Sequence, residues 1–548
     1  MSVFKQYSRI EVLLAIGSGL LIYLLGTRSF TGDGLEYAAK ITSGEGMWHP
    51  HHLIFIPVNH WLMQFFHALG WEANAFQVAQ IHNAILAGLG VGAFYRIQER
   101  IWKGDWMRWV FLAALLFSFG YWTYSTQVEV YICSLSFLLL LVRGGKTGWR
   151  IFYLAMAILY HQANVLFVIP LLLQAGFFGA RKDLFRSLGV VGGAGLLVIL
   201  AYVVGMGQQG IPVSLDGFFS YSLSYQLAGH SGWGTWDNVS FIGLRDLFNS
   251  QVEGMVVPWT PGLKWLTWPF GLLIVGILGG WLMKGRKRSD SGSLRSLGWL
   301  AFFWVVLYLA FFWWWLPSEG EFSVLVIPGL LILSSLLVSS LVGRLTWLRW
   351  VVAVPVVLVL LLNLRTFLKA RFEPDHTRIK AEWIAENAGE CSVFADYHLA
   401  THLRHAGWEN ITGMEGMMNG YYGGENLKNE QIPESGCFFI GLEFLDPGFT
   451  AAGHDGYTDR GPWQAFLYDV FGVRPTLGAM VEGPEGAPDF VYNRYEVVSF
   501  EGNVFFRVLE DAVPFEGERA LLLGLDEEMM RVVPEQGAVF GPWLQKAD

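Results

Sequence analysis

Two carboxylates in a polar segment near the start of the chain have a spacing that could serve acid–base chemistry. Asp33 and Glu36 are three residues apart, so a helix would place both on one face. One carboxylate of such a pair can accept a proton while the other positions a substrate or its partner. The spacing also fits a helix cap, with Asp33 at the N-cap and Glu36 three residues later. The spacing alone leaves both interpretations open.

A histidine-rich turn follows in the same segment. His49, His51 and His52 lie on either side of Pro50. Imidazole is a common metal ligand, but adjacent histidines point in different directions on most backbones, which disfavours a shared ion. Hydrogen bonding to a phosphate group or to sugar hydroxyls is the chemistry that we expect of these side chains.

Further ionisable groups stand at the edges of apolar runs. Glu129 and Tyr131 open one run, His161 interrupts LYHQANVLF, and Glu319 with Glu321 lies in WWWLPSEGEF. A carboxylate at the end of a membrane span is costly unless it is paired or faces water. The structural alternatives are a helix-end hydrogen bond for His161 and a solvated turn for Glu319 and Glu321.

The elements that must position these residues are predicted to be membrane-spanning helices. Of the 548 residues, 53% are hydrophobic and 15% are charged, whereas roughly a quarter are charged in soluble proteins. A spanning helix needs about 20 mostly apolar residues. The sequence predicts eleven spans, near residues 11–26, 74–97, 107–123, 127–142, 149–161, 163–178, 187–207, 263–283, 296–315, 323–341 and 350–367.

The distribution of basic residues predicts the orientation of these spans. Cytoplasmic loops of membrane proteins carry an excess of Lys and Arg. If the N-terminus lies on the cytoplasmic side of a cytoplasmic membrane, all five basic loops lie on that side too. These loops are residues 96–108, 143–150, 181–186, 284–288 and 344–349. The long first loop 27–73, the loops 208–262 and 316–322 and the C-terminal region are then outside. All the candidate residues above consequently lie on the outer side.

The composition divides the chain into two domains. Residues 368–548 hold 30 acidic and 13 basic residues, a balance of −17, whereas residues 1–367 carry +8. Helix-like and strand-like runs alternate in the acidic part, which predicts an extracytoplasmic α/β domain that binds the acceptor or caps the site. Cys391 and Cys437 each open a strand-like run, and an oxidising compartment would permit a disulfide between them.

The order of these residues resembles the GT-C glycosyltransferases, most closely the protein O-mannosyltransferase-like branch. Asp33-x-x-Glu36-x-x-Ala39 follows the first predicted helix, and a His-Pro turn and an apolar helix come next. The family's Trp…Glu-Val-Tyr element, its outer histidine and its late WWLP…VIP stretch are similar to segments of this chain that contain Trp122, Glu129-Val130-Tyr131, His161 and residues 314–328. The likeness covers residues 1–180 and, loosely, 300–340. The turn Trp48-His49-Pro50-His51-His52 departs from the family's pattern.

The resemblance implies inverting transfer of a sugar from a polyprenyl-phosphate carrier on the outer face of the membrane. It implies that Asp33 is the general base and that Glu36 positions the acceptor or supports Asp33. The side chains that would bind the substrates, four of them facing the leaving phosphate, are His49, His51, His52, His161, Glu129, Tyr131, Glu319 and Glu321. No cofactor beyond the carrier and no nucleic-acid partner is expected, and a divalent metal bridging phosphate and carboxylates is the alternative.

Two other classes of function compete with an enzyme. A transporter or flippase of lipid-linked sugars would be expected to show paired repeats and ionisable groups at mid-membrane. The halves of this chain show no repeat, and its ionisable groups lie at the outer ends of the predicted spans. A non-catalytic scaffold predicts that replacing Asp33 is harmless.

Overall fold

A computed structural model of the chain describes most of the apolar part and separate pieces of the acidic part. The described residues are 8–178, 181–223, 234–256, 267–285, 292–342, 345–372, 375–387, 392–395, 397–408, 411–413, 437–441, 473–475, 492–500, 503–508 and 544–546. The chain divides into two compact units, one of residues 1–28 and 37–372 and the other of residues 29–36 and 373–548. Cys391 lies outside the described residues, so the disulfide stays a prediction.

Helices build the described part of the apolar region. They are α1 (Arg9–Leu24), α2 (Gly32–Ser43), α3 (Phe55–Ala68), α4 (Ala75–Trp102), α5 (Met107–Leu116), α6 (Phe119–Thr126), α7 (Tyr131–Arg143), α8 (Thr147–Tyr160), α9 (Val168–Phe178), α10 (Arg181–Gln208), α11 (Leu215–Ser222), α12 (Phe241–Met255), α13 (Thr267–Gly285), α14 (Gly292–Trp315), α15 (Ser323–Val342) and α16 (Leu348–Phe372). Short 3-10 turns at Pro50–His52, Gln162–Phe167 and Gly320–Phe322 connect them.

The chain is a multi-pass membrane protein. Among the described residues, five helices are long and apolar enough to cross a membrane: Ala75–Trp102, Arg181–Gln208, Gly292–Trp315, Gly320–Val342 and Leu348–Phe372. The helices α6 and α7 form a sixth candidate that is bent by 117°. The shorter apolar helices are Met107–Leu116, Gln162–Phe178 and Thr267–Met283. The count of eleven spans stays a prediction.

One predicted span is wrong in its local structure. The run 107–123 forms two helices, because α5 ends at Leu116 and α6 begins at Phe119 after an extended Ser118. A second break follows at Gln127, whose backbone is extended. The buried Asn83 amide donates to the carbonyl oxygens of Gln127 at 2.9 Å and Glu129 at 2.8 Å. These bonds satisfy the carbonyls freed at the second break. At the first break, inside the predicted span, the Asn363 amide of α16 donates to the carbonyl oxygen of Phe117 at 2.8 Å, so tertiary contacts permit both breaks.

Small residues allow the first helix to pack closely on α4. A Cβ built on Gly88 would lie 2.2 Å from the carbonyl oxygen of Ala15, and one on Gly19 would lie 2.9 Å from that of Ala84. Only glycine permits this separation of the two backbones. A buried ion pair also joins α1 to α7. Glu11 of α1 is salt-bridged to Arg143 of α7, and both side chains are at most 5% exposed.

The described strands of the acidic part form one five-stranded and one two-stranded sheet. The strands are β1 (Ser392–Ala395), β2 (Ile411–Gly413), β3 (Cys437–Gly441), β4 (Val473–Pro475), β5 (Tyr492–Phe500), β6 (Asn503–Val508) and β7 (Leu544–Lys546). The larger sheet has the order β2-β1-β3-β5-β6, with β1 parallel to both neighbours and the other pairs antiparallel. Helices α17 (His376–Asn387) and α18 (Tyr397–His405) flank β1 in sequence.

Candidate functional site

The histidine turn is fixed by hydrogen bonds from three helices. The 3-10 turn Pro50–His52 follows an extended His49. The Tyr202 hydroxyl of α10 donates to the carbonyl oxygen of Pro50 at 2.5 Å. The Tyr221 hydroxyl of α11 donates to the carbonyl oxygen of Trp48, and the backbone N–H of Ile54 donates to the carbonyl oxygen of Leu159, in α8, at 3.4 Å. The polar loop read from the sequence is therefore a rigid element, held by helices far from it in sequence.

The structure brings the four histidines named from the sequence into one cluster. The rings of His49 and His52 are stacked with centroids 5.0 Å apart. His51 lies 5.5 Å from His49, and His161 lies 5.4 Å from His52. The Nδ1 atom of His161 accepts a hydrogen bond from the backbone N–H of Ala163 at 3.3 Å. His161 therefore has the helix-end role that the sequence left open, and its proton in the neutral form lies on Nε2.

Tyr131 connects the histidine cluster to the Glu319–Glu321 turn. Its ring lies 4.9 Å from His161, and its hydroxyl donates to Oε1 of Glu321. The ring of Phe322 packs edge-on against both Tyr131 and His161. A residue at the start of α7 and a turn nearly 190 positions later thus meet beside His161, which the sequence order alone did not show.

A group of carboxylates surrounds Tyr124, the aromatic neighbour of Tyr131 at 5.4 Å. The charges of Glu321, Glu129, Glu319 and Glu253 all act on the Tyr124 hydroxyl. Glu129 is 1% exposed and Glu319 is 7% exposed, so these groups are not a solvated turn. The predicted Glu129, Glu319 and Glu321 are therefore brought together next to the histidines.

Sequence reasoning missed Glu253 and Tyr37. Glu253 accepts a hydrogen bond from the Asn249 amide of α12 at 2.7 Å, and the sequence placed this segment in a loop. The aromatic ring of Tyr37 packs edge-on against His52 and against Phe55, with centroids 5.7 Å apart in each pair. The available signals were, for Glu253, one glutamate among the four acidic residues of the outer segment 208–262 and, for Tyr37, the position next to Glu36.

A buried polar chain behind the cluster was also missed. The Asn59 amide nitrogen donates to the carbonyl oxygen of Phe55, so its side-chain oxygen faces Nδ1 of His82 at 3.1 Å as an acceptor. Nε2 of His82 then accepts from the Tyr160 hydroxyl at 3.0 Å. This chain ties α3, α4 and α8 together directly beneath the histidine turn and its neighbour His161.

Asp33 and Glu36 lie in the first two turns of α2. They belong to the compact unit that includes residues 29–36. The helix begins at Gly32, and the Thr31 hydroxyl accepts a hydrogen bond from the backbone N–H of Gly34 at 3.0 Å. The interpretation of Asp33 as the N-cap is therefore wrong, because Thr31 caps this helix and Asp33 stands inside it.

Burial keeps the imidazoles of His51 and His52 neutral. The pKa of His51 is lowered from 6.5 to about 3, first by burial and then by the neighbouring His49 and His161. Burial lowers the pKa of His52 well below its usual value, and the other histidines lower it further. Nδ1 of His52 is buried and has no hydrogen-bond partner among the described residues. The cluster thus presents neutral hydrogen-bonding groups and not fixed cations.

In the part of the chain that the structure describes, no group of three or more His, Cys, Asp or Glu side chains has the arrangement of a metal site. The four clustered histidines are ring-to-ring neighbours, and their stacked and tilted contacts place rings against rings.

The comparisons with known proteins found similarity only at the level of structure. No family model matches the sequence, and no curated protein matches it. ArnT from Cupriavidus metallidurans bound to undecaprenyl phosphate is similar at 16% identity and a TM-score of 0.46, over 73% of this chain and 85% of that one. The apo state of the same protein is similar at 13% identity and a TM-score of 0.48, over 78% of this chain and 92% of that one.

The oligosaccharyltransferase of Archaeoglobus fulgidus, in complex with Zn and sulfate, is similar at 11% identity and a TM-score of 0.45, over 87% of this chain and 72% of that one. These structural likenesses do not specify the O-mannosyltransferase-like branch that the sequence resembles. All three TM-scores lie below 0.5.

Proposed function

We propose that this chain is a membrane glycosyltransferase that moves a sugar from a polyprenyl-phosphate carrier to an acceptor on the outer face of a cytoplasmic membrane. The observation that carries the proposal is the convergence of His49, His51, His52 and His161 with Tyr131 in a rigid, partly enclosed cluster. The order of residues in the sequence predicts that these side chains bind phosphate and sugar, and they come from three separate segments of the chain.

The histidine cluster is suited to the phosphate of the carrier. A neutral imidazole offers one N–H donor, and Nδ1 of His52 is buried without a partner among the described residues. A phosphate placed against these rings would supply the partner and would favour their protonated forms, because an adjacent negative charge raises the pKa of histidine. Binding of the donor would thus take up protons, and the cations so formed would stabilise the leaving phosphate.

The carboxylates next to Tyr131 are suited to the sugar. Carboxylate oxygens accept hydrogen bonds from hydroxyl groups, and Tyr131 holds one oxygen of Glu321 in place. Glu129 and Glu319 are almost fully buried in the same group. A polyhydroxylated ligand would donate hydrogen bonds to these carboxylate oxygens, whereas an apolar ligand would offer none.

The proposed reaction inverts the configuration at the anomeric carbon. The acceptor hydroxyl attacks that carbon, the bond between the carbon and the phosphate oxygen breaks, and the polyprenyl phosphate leaves with the bonding electron pair. The hydroxyl proton passes to the carboxylate of Asp33, and Glu36 positions the acceptor. This assignment of Asp33 is supported by its place in the Asp-x-x-Glu pattern and by its position inside α2, where Thr31 has the capping role.

The proposal keeps the topology that the basic loops indicate, with eleven spans, the N-terminus inside and the acidic α/β region outside, where it binds or orients the acceptor. It requires no cofactor beyond the lipid carrier, and a divalent ion bridging phosphate and carboxylates is the alternative arrangement. The sugar and the acceptor, whether protein, lipid or polysaccharide, are left to the assay.

The test compares three chains in nanodiscs: wild type, Asp33→Asn and Asp216→Asn. Asp216 is the matched control, since it is an exposed aspartate in the first turn of α11, in another segment predicted to be outside. Each is incubated with radiolabelled polyprenyl-phosphate sugars and a membrane extract as the source of acceptor, with and without a chelator. We expect wild type and Asp216→Asn to transfer label equally and Asp33→Asn to be slower by about 100-fold or more, which is typical of the loss of a general base.

Transfer by Asp33→Asn at the wild-type rate would refute the assigned base and leave the donor site to be tested separately. Loss of transfer on chelation would favour the bridging ion. Movement of labelled donor between leaflets without any glycosylated product would favour a transporter of lipid-linked sugars over an enzyme.

A further inference from the structure

A cavity lined by three arginines lies in the helical unit, away from the histidine cluster. Its volume is about 280 Å³. Arg100, Arg150 and Arg186 supply its positive charge, and the polar groups of Gln174 and Ser296 also line it. None of its lining residues is an Asp or a Glu. The lining of this described cavity therefore combines cationic and polar side chains with Leu and Phe side chains.

The cavity is at the opposite end of the helices that position the histidine cluster. Arg100 lies 17 residues beyond Asn83 on α4, which is about 26 Å along the helix axis. Arg150 lies ten residues before Tyr160 on α8, or about 15 Å. Arg150 and Arg186 fall in the basic loops that the positive-inside rule assigns to the cytoplasm. A ligand of this cavity would accordingly enter from the inner leaflet or the cytoplasm.

Protein groups balance the charge of these arginines only in part. A guanidinium nitrogen of Arg100 donates to the carbonyl oxygen of Arg143, and Nε of Arg186 donates to the Thr147 hydroxyl at 3.1 Å. Nε of Arg150 is buried and has no hydrogen-bond partner among the described residues. Asp183 is the carboxylate whose charge acts on Arg150, opposed by that of Arg186. The charge of Glu11 acts on Arg100, where those of Arg96 and Arg143 oppose it. Arginines therefore outnumber carboxylates around the cavity.

An anion with several oxygen acceptors would satisfy this arrangement. Guanidinium groups bind phosphate with paired, charge-assisted hydrogen bonds. The cavity also adjoins the first turns of α8 and α14, whose backbone N–H groups and dipoles favour a negative charge. The apolar side chains of the lining, which include Leu141, Leu297 and Phe167, would contact the hydrocarbon part of a phosphate-bearing lipid.

We propose that this cavity binds a phosphate-bearing anion at the cytoplasmic end of the protein, either the head group of an anionic phospholipid or free phosphate. The site is separate from the proposed donor site and does not depend on the chain being a glycosyltransferase. Occupation would offset part of the positive charge of the three guanidinium groups and would connect the loop after α7 to α8, α10 and α14, which would stabilise the inner end of the bundle.

The test measures thermal unfolding midpoints of the full chain in a neutral detergent during titration with dioleoylphosphatidylglycerol, dioleoylphosphatidylcholine or inorganic phosphate. The variants are Arg150→Gln, Arg186→Gln and the control Arg181→Gln. Arg181 is exposed at the start of α10 and outside the cavity lining, so its replacement removes one charge from the same end of the bundle. A ligand that binds only the folded chain raises the midpoint according to its affinity.

We expect phosphatidylglycerol or phosphate to raise the midpoint of wild type and Arg181→Gln. The apparent affinity should be about tenfold weaker in Arg150→Gln and in Arg186→Gln, which is the loss expected for one hydrogen bond to a charged group. Stabilisation by phosphatidylglycerol alone identifies a lipid, and equal stabilisation by inorganic phosphate identifies a free anion. The proposal is overturned if phosphatidylcholine stabilises as well as phosphatidylglycerol, or if Arg150→Gln and Arg186→Gln both bind like wild type.

Discussion

Replacement of Tyr131 by Phe removes one hydroxyl from the candidate site and leaves its ring in place. The ring is 5% exposed and lies 4.9 Å from His161, so its packing should survive. The hydroxyl donates to Oε1 of Glu321, and a hydrogen bond to a charged group contributes about 1.5–3 kcal/mol. At about 1.4 kcal/mol per factor of ten, the loss corresponds to roughly 10- to 100-fold in any quantity that depends on the orientation of this carboxylate.

A double-mutant cycle tests whether the two side chains act as a pair. The four chains are wild type, Tyr131→Phe, Glu321→Ala and the double variant, and the assays are the thermal unfolding midpoint and kcat/KM for sugar transfer. We expect the double variant to be little worse than the worse single variant, since both single changes break the same bond. Tyr124→Phe is the matched control, because its hydroxyl is in the same cluster but makes no hydrogen bond to a carboxylate among the described residues.

Additive effects in the cycle would refute the pairing, since independent residues add within about 0.5 kcal/mol. Equal losses in Tyr131→Phe and Tyr124→Phe would show that a hydroxyl anywhere in the carboxylate group matters, and that the orientation of Glu321 does not. A loss of stability with unchanged kcat/KM would make the pair a structural element only.

Three further predictions concern acid sensitivity and helix packing. The pKa of His51 is 6.5 in the unfolded chain and about 3 in the folded chain, so the unfolded chain binds more protons between these pH values. Each unit by which the pH falls within this range should lower the free energy of unfolding by about 1.4 kcal/mol. His51→Gln should remove this contribution from the dependence of the unfolding midpoint on pH. Glu11→Gln removes the ion pair between Glu11 and the buried Arg143 and should lower the free energy of unfolding by about 3–5 kcal/mol. The double variant Glu11→Gln with Arg143→Met should recover most of this loss in the same unfolding assay. An unchanged midpoint in Glu11→Gln would contradict the pairing. Gly88→Ala should lower the midpoint because its Cβ would meet the carbonyl oxygen of Ala15 at 2.2 Å, and Gly17→Ala on the adjoining helix, with nothing within 4 Å, should leave it unchanged.

The local pattern of the sequence was sufficient for the broad class of the molecule. Apolar runs of about 20 residues have few other destinations than a membrane, and the structure shows helices at most of them. The pattern failed at 107–123, where a run of uniform hydrophobicity is broken. Hydrophobicity cannot show such a break, because the amide of Asn363 that satisfies the freed carbonyl of Phe117 comes from another helix.

The sequence by itself also determined which residue types could do chemistry and in what order they come. Only the tertiary structure decided which of them meet. His161 reaches His52 because α8 ends beside the turn that Tyr202 holds from α10, and Glu321 reaches Tyr131 from a turn 190 positions away in the sequence. The same packing withdraws the imidazoles from water and makes them neutral, which is a property of their surroundings and not of their spacing.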